Sequence, residues 1–302
     1  MQWVFPLVYA RWMDKTQAID VRNEKLPAGL YLVATPIGNL RDITLRALDV
    51  LTAADAVLCE DSRVSGKLMQ AYGLKKKLVV YNDHSGPRDR GRIVSLLTQG
   101  NALALISDAG TPLIADPGYK LVRDCLDQGL AVTPIPGPNA TLGALQLSGL
   151  PSDRFSFLGF LPPKSAARRT ALQDWVAVPG TLVTFETGPR LLASLRDMAE
   201  VLGDRAAAVV REITKRHEES RRGTLSDLAA FYETEGPPKG EIVVVIAPPE
   251  AAVWSDAALE EALRDALKTM SVKDAAASVA KRTGVPRRKL YDRGAALAKN
   301  GL

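Results

Sequence analysis

Three loops hold most of the residue types that could grip a polar small molecule: Thr35-Pro36-Ile37-Gly38-Asn39, the run Ser107-Asp108-Ala109-Gly110-Thr111-Pro112-Leu113-Ile114-Ala115-Asp116-Pro117-Gly118, and Pro136-Gly137-Pro138-Asn139-Ala140. Each directly follows a short apolar run. Glycine lets backbone amides approach a ligand or adopt positive φ, while proline stiffens its neighbours, so these loops can present fixed N–H and C=O groups. A single loop of this kind reads as an ordinary turn; three at one sheet edge point to a cleft. Candidate proton carriers lie beside other apolar runs. His84, in Tyr81-Asn82-Asp83-His84-Ser85, is of the residue type whose ordinary pKa suits a general base. Asp61, Glu212 and Lys215 fit either a site or an ion pair.

Absent motifs narrow the chemistry. No two of the 23 glycines are separated by a single residue, which removes the dinucleotide fingerprint and the glycine-rich loop of Rossmann-type methyltransferases. There is no phosphate-binding G-x-x-x-x-G-K-[ST], no G-x-S-x-G and no H-E-x-x-H. Two cysteines, Cys59 and Cys125, with His84 and His217, do not make a clustered zinc site, so no metal is expected.

The loops need a scaffold, and the pattern around them supplies one. Apolar runs at Leu30–Ala34, Ala56–Cys59, Leu78–Tyr81, Ala102–Ser107 and Leu130–Thr133 read as strands; Thr44–Ala53, Ser62–Tyr72, Arg90–Gln99 and Tyr119–Gln128 read as helices between them. Such alternation implies a largely parallel sheet covered by helices, with ligands at the carboxyl ends of its strands. After Gly149-Leu150-Pro151-Ser152 a second unit has strand candidates Phe155–Leu158, Thr181–Phe185, Ala206–Val210 and Glu241–Ile246. Beyond Pro248-Pro249 the chain reads as helical. Leu259, Ala262, Leu263, Ala266, Leu267 and Met270 form one stripe, and Val272, Ala275, Ala276, Val279 and Ala280 another. Ser271 with Asp274 reads as a capping box, Gly284 as a turn and Pro286 as the start of a third helix. The expected divisions are an extension at 1–27, poorly ordered, α/β domains at 28–149 and 150–249, and a helical domain at 255–302.

At 302 residues, with 46% apolar and 24% charged residues, the chain has the composition of a soluble globular protein. The apolar stretch Trp3 to Ala10 is too short for a membrane span and lacks a preceding basic residue, so a cytoplasmic location is expected. The net charge of +5 is uneven: from Arg264 onward it is +7, leaving −2 for the rest. A basic tail fits a polyanion as well as a solvated helical face.

The runs Leu32-Val33-Ala34-Thr35-Pro36-Ile37-Gly38-Asn39-Leu40, Cys59-Glu60-Asp61-Ser62-Arg63, Ser107 to Pro112 continuing through Asp116-Pro117-Gly118, and Pro136 to Ala140 resemble the tetrapyrrole (corrin/porphyrin) methylase superfamily. Within it, they are similar to the family of ribosomal RNA small subunit methyltransferase I. The resemblance continues through Phe185-Glu186-Thr187, Arg211-Glu212-Ile213-Thr214-Lys215 and Lys239-Gly240-Glu241, over residues 29–247 plus the tail. Ser62 stands where threonine is expected, and residues 1–27 match nothing in the family.

The resemblance implies a two-domain class III methyltransferase fold with a small C-terminal helical domain, acting as a homodimer. It implies S-adenosylmethionine as cofactor and the 2′-hydroxyl of a decoding-centre cytidine in 16S ribosomal RNA of the small subunit as acceptor. The cofactor loops would be Pro36, Ile37, Gly38 and Asn39; Asp108, Ala109, Gly110, Thr111, Pro112 and Leu113; Pro136, Gly137, Pro138, Asn139 and Ala140; and Phe185, Glu186 and Thr187. This cofactor carries no phosphate, which agrees with the missing phosphate cradles. A ribose hydroxyl benefits from a base, for which His84, Asp61, Glu212 and Lys215 are the candidates. RNA contacts would come from Arg63 and Lys67 and, in a helix-turn-helix-like tail, from Lys281, Arg282, Arg287, Arg288 and Lys289. Arg211, Lys215, Arg216, Arg221 and Arg222 form another basic stretch, equally readable as a salt-bridged surface because it also holds Glu212, Glu218 and Glu219. A small-molecule tetrapyrrole methylase and a non-catalytic RNA-binding assembly factor stay open as alternatives.

Overall fold

The computed structural model describes residues 24–250 and 255–299. The expected N-terminal extension therefore falls mainly outside the described residues. The chain to Ala247 forms one compact unit and the chain from Pro248 another.

The first unit contains two sheets. In the first, β1 (Gly29–Val33), β2 (Ala56–Cys59), β3 (Leu78–Val80), β4 (Ala102–Ile106) and β5 (Val132–Ile135) run in the order β3-β2-β4-β1-β5, all parallel. The central strands are apolar at nearly every position because both faces are covered. Helices α1 (Leu45–Ala53) and α2 (Ser62–Ala71) cover one face; α3 (Pro87–Thr98) and α4 (Tyr119–Asp127) cover the other. Strand β5 lies two residues later than its apolar run suggests and includes Pro134. It is an edge strand, where a residue without an N–H is tolerated.

In the second sheet, β6 (Phe155–Phe160), β7 (Thr181–Thr187), β8 (Ala206–Arg211), β9 (Glu219–Thr224) and β10 (Glu241–Ile246) take the order β6-β7-β10-β8-β9, with β10 antiparallel to both neighbours. Sequence periodicity misses β9, since Glu-Ser-Arg-Arg-Gly-Thr has no apolar alternation; the antiparallel ladder to β8 makes it a strand. One face packs on α6 (Ser165–Gln173), α7 (Gly188–Leu202) and α8 (Leu225–Glu235). The other receives α5 (Ala140–Ser148), whose Ala144 and Leu145 pack with Val183, Val210 and Val243. Helix α5 precedes the Gly149 boundary in sequence yet packs on the second sheet, because its apolar side matches that otherwise uncovered face.

The second unit is a three-helix cluster: α9 (Asp256–Leu267), α10 (Val272–Thr283) and α11 (Arg287–Lys299) around Leu259, Leu263, Ala276, Val279 and Leu290. Ser255 and Ser271 cap α9 and α10, and Gly284 closes α10 at φ 72°. Met270 lies past the end of α9 and is exposed. Lys281, Arg282, Arg287, Arg288 and Lys289 are all exposed. Among the described residues no helix is long and apolar enough to cross a membrane.

Arg168 is buried; its Nε donates to Asp197 at 2.7 Å, and its Nη1 donates to the carbonyls of Pro162 and Pro163 at 3.4 and 3.2 Å. Removing one partner of a buried pair strands the other charge. Asp197→Ala is expected to destabilise the protein by about 3–5 kcal/mol in urea unfolding, and Arg168→Met with Asp197→Leu by clearly less.

Candidate functional site

Adjacent strands β1 and β4 send their chains to opposite faces of the first sheet, which opens a crevice at their carboxyl ends. Two hydrogen bonds clip its loops together: the Thr35 N–H donates to the Gly110 carbonyl at 2.8 Å, and the Gly110 N–H to the Thr35 carbonyl at 3.0 Å. Gly110 does this at φ 84°, where an added Cβ would meet Ile37 Cγ2 at 3.2 Å. Its own amide is thus committed to the clip and is not open to a ligand. The third loop is tied in by the Thr111 hydroxyl, which donates to the Pro138 carbonyl at 3.0 Å, and by the Asn139 amide, which donates to Thr111 Oγ1 at 3.1 Å.

Above the crevice lies a cavity of about 270 Å³. From the first sheet and its loops it is lined by Ile37, by Ala109, Gly110 and Thr111, by Ile114, Ala115 and Asp116, and by Asn139, Ala140 and Thr141. The second sheet contributes Phe160, then Phe185, Glu186 and Thr187, with Ile213 and the start of β10 from Gly240 to Val243. Thr141 is buried, and its Oγ1 has no hydrogen-bond partner among the described residues. Leu113 and Ala115 hold φ of 73° and 63°, conformations that side-chain-bearing residues adopt only under constraint.

Of the residues expected in the cofactor loops, Pro36, Gly38, Asn39, Asp108, Pro112, Leu113, Pro136, Gly137 and Pro138 do not line the cavity. Several of them build it instead. Gly137 has no positive φ; a Cβ there would lie 2.9 Å from the Ala34 Cβ, so close packing on β1 requires the glycine. The Asn39 backbone N–H donates to Thr214 Oγ1 at 3.2 Å, and a Cβ at Gly38 would strike the Lys215 side chain. These contacts join the loop after β1 to the loop after β8. Ile114, Asp116, Ile213 and Glu241, which lie in the loops and motifs named above but not among the expected cofactor residues, also line the cavity, and Thr141 and Phe160 join them with no signal in the sequence.

The expected proton carriers fare differently. His84 is exposed in the loop after β3 and does not line the cavity; its backbone N–H donates to Asn82 Oδ1. Asp61 caps α2 and is bound by Arg63, whose hydrogen bonds bring its carboxyl down to about 2, too acidic for a base. The same bonds occupy the guanidinium of Arg63, while Lys67 is exposed on α2. Glu212 accepts from Lys215 Nζ at 2.8 Å and from the Glu241 amide at 3.0 Å; the lysine bond first, against partial burial, lowers its carboxyl pKa. Burial works to lower the Lys215 pKa, but its bonds to Glu212 and Glu241 outweigh this and raise it, so the ammonium persists. Neither member of the pair lines the cavity.

Three carboxylates do. Glu186 is buried and held by Ser194, Arg190 and the Thr187 amide; Glu241 pairs with Lys215. Among the described residues no cation pairs with Asp116. Burial, with the nearby carboxyls of Glu60, Asp108 and Asp83, pushes it up to about 6 against a bond from Ser107. In the other basic stretch, Arg211 and Arg221 bind Glu219 at 2.8 and 3.0 Å, Arg221 lies over the Phe231 ring, and Arg222 donates to the α5 carbonyls of Leu147 and Ser148. Those arginines hold structure together.

Residues 29–229 match the family of tetrapyrrole (corrin/porphyrin) methylases, and residues 255–298 match the RsmI C-terminal HTH domain. A uroporphyrin-III C-methyl transferase from Thermus thermophilus, solved in complex with S-adenyl homocysteine, has the same fold: TM-score 0.51 at 19% identity, covering 72% of this chain and 97% of that one. Fold and site thus define a tetrapyrrole-methylase-type protein. Ribosomal RNA small subunit methyltransferase I of Mesorhizobium japonicum is 50% identical over 275 residues, 91% of this chain and 94% of the relative. That of Erythrobacter litoralis is 53% identical over 274 residues, 91% and 97% of the two chains. The chain belongs to the ribosomal RNA small subunit methyltransferase I family.

The Asp116 environment has a consequence for stability. Its folded pKa of about 6 exceeds the ordinary 3.8, so the folded state keeps a proton that the unfolded state releases between those values. The parent is expected to lose stability relative to Asp116→Asn as pH rises from about 4 to about 6, and the gap to level off above that. Thermal melts of both proteins from pH 4 to 8 measure it.

Proposed function

We propose that the protein transfers a methyl group from S-adenosylmethionine to the ribose 2′-hydroxyl of a decoding-centre cytidine in 16S ribosomal RNA of the small subunit. The observation that carries this reading is a ligand-sized cavity walled by parts of the loops that carry the family resemblance, in a chain aligned to its relatives over nearly their whole length. The residues present fit the cofactor. Thr141 offers a buried hydroxyl with no partner among the described residues, Ile37, Ile213 and Val243 offer apolar wall, and no phosphate cradle is needed.

Bound S-adenosylmethionine supplies an electrophilic methyl carbon on a sulfonium. The protein's part is alignment and proton removal. The clipped loops fix the cavity's geometry, and Phe185 with Ile213 excludes water from one wall; positioning of this kind accounts for several kcal/mol of a displacement barrier. With the cofactor bound, the Asp116 carboxylate would take up the proton that the acceptor 2′-hydroxyl releases. Asp116 combines a place on the cavity with a pKa pushed up to about 6. The exposed cations of α10 and α11 hold RNA phosphates.

Incubating the protein with small subunits and methyl-labelled S-adenosylmethionine, then digesting the RNA for nucleoside mass spectrometry, is expected to yield 2′-O-methylcytidine. No turnover despite RNA binding, or label appearing only in a tetrapyrrole offered to the same protein in a parallel reaction, rejects the reading. Asp116→Asn is expected to lower kcat by about 10²–10⁴-fold, with parental activity rising with pH through about 6, while His84→Ala changes it little. Neutralising Arg287, Arg288 and Lys289 together is expected to weaken RNA binding and flatten the slope of log affinity against log salt by about one unit per lost duplex contact, with cofactor affinity unchanged.

A further inference from the structure

Two large apolar side chains stay exposed at the cavity, and an irregular backbone keeps each in place. Phe160 is 55% exposed and Ile114 39% exposed, and both line the cavity. The pairing of β6 with β7 shifts register between Phe157 and Phe160, Gly159 adopts φ 65°, and the Thr184 hydroxyl holds the Gly159 carbonyl at 2.8 Å. A bulge of this kind re-aims the side chain after it. The Phe160 ring packs edge-on against Phe185 with centroids 5.4 Å apart, and Arg190 anchors the next carbonyl, that of Leu161. Ile114 sits between Leu113 and Ala115, both at positive φ. Apolar surface kept open beside a cavity marks a binding face.

The cavity's size says what that face receives. At about 270 Å³ it lies at the small end of single-ligand pockets, which run from about 300 to 1,000 Å³. One ligand fills it, so a second ring has to sit at the rim. Enzymes that do chemistry on a base turn it out of its stack, and unstacked bases of single-stranded RNA are held by stacking on aromatic side chains. We infer that Phe160 and Ile114 form a stacking subsite for the nucleobase of the RNA residue whose ribose is methylated. This rests on the RNA methyltransferase reading above.

Phe160→Ala and Phe160→Trp, in the full chain, test it. Calorimetric titration with S-adenosylmethionine is expected to give parental affinity for both. With small subunits as substrate, kcat/KM is expected to fall about tenfold to a hundredfold in Phe160→Ala, the range of one lost base stack, and to recover in Phe160→Trp. Ile114→Ser is expected to lower it in the same direction. Unchanged kcat/KM in an active parent background overturns the subsite alone. So does weakened cofactor binding in Phe160→Ala, which would assign the ring to the cofactor's adenine. A parent that methylates no RNA overturns the function and the subsite together.

Discussion

The pair of hydrogen bonds between Thr35 and Gly110 is the constraint on which the site depends. It spans the crevice where β1 and β4 diverge, and it fixes the loop after β4 against the loop after β1. Only a residue without Cβ sits comfortably at φ 84° so near Ile37. From that clip the long loop runs through Leu113 and Ala115 at positive φ, and so delivers Ile114 and Asp116 to the cavity. Without it the crevice would have one free wall, and the strain stored further along would have nothing to act against.

The opposite wall is built by a different logic. The second sheet is mixed, so the start of β10 meets the ends of β7 and β8 at one edge, and Glu186, Ile213 and Glu241 share a rim despite their separation in sequence. Gly240 at φ 97° leaves the space that the Glu212 carboxylate fills, and Glu212 in turn holds Lys215. The cluster is polar and salt-bridged, yet its work is mechanical: it packs against Gly38 and receives the Asn39 backbone N–H at Thr214. Helix α5 completes the join. It starts with the third loop of the first sheet and packs on the second, capped at its end by Arg222.

Electrostatics then separates groups that look alike in sequence. Asp61 and Asp116 both follow apolar strands of the same sheet. One accepts from Arg63 and stays ionised down to about 2; the other is partly buried among carboxyls and titrates near 6. The difference comes from neighbours and solvent, and neither is encoded in residue type.

The sequence by itself determined a good deal. The apolar runs place strands β2 and β10 at their observed bounds, and Ser271 and Pro286 mark the starts of α10 and α11 to within a residue, because local periodicity and turn chemistry are properties of adjacent residues. The Gly- and Pro-rich loops marked the sheet edge that carries the cavity. What tertiary structure alone decided was direction and company. His84 reads as a base and lies exposed off the cavity; Phe160 lies just past the strand candidate Phe155–Leu158 and is turned outward by a bulge; β9 has no apolar alternation and forms because β8 offers a ladder. Each depends on contacts between segments distant in the chain, and spacing along one segment holds no record of them.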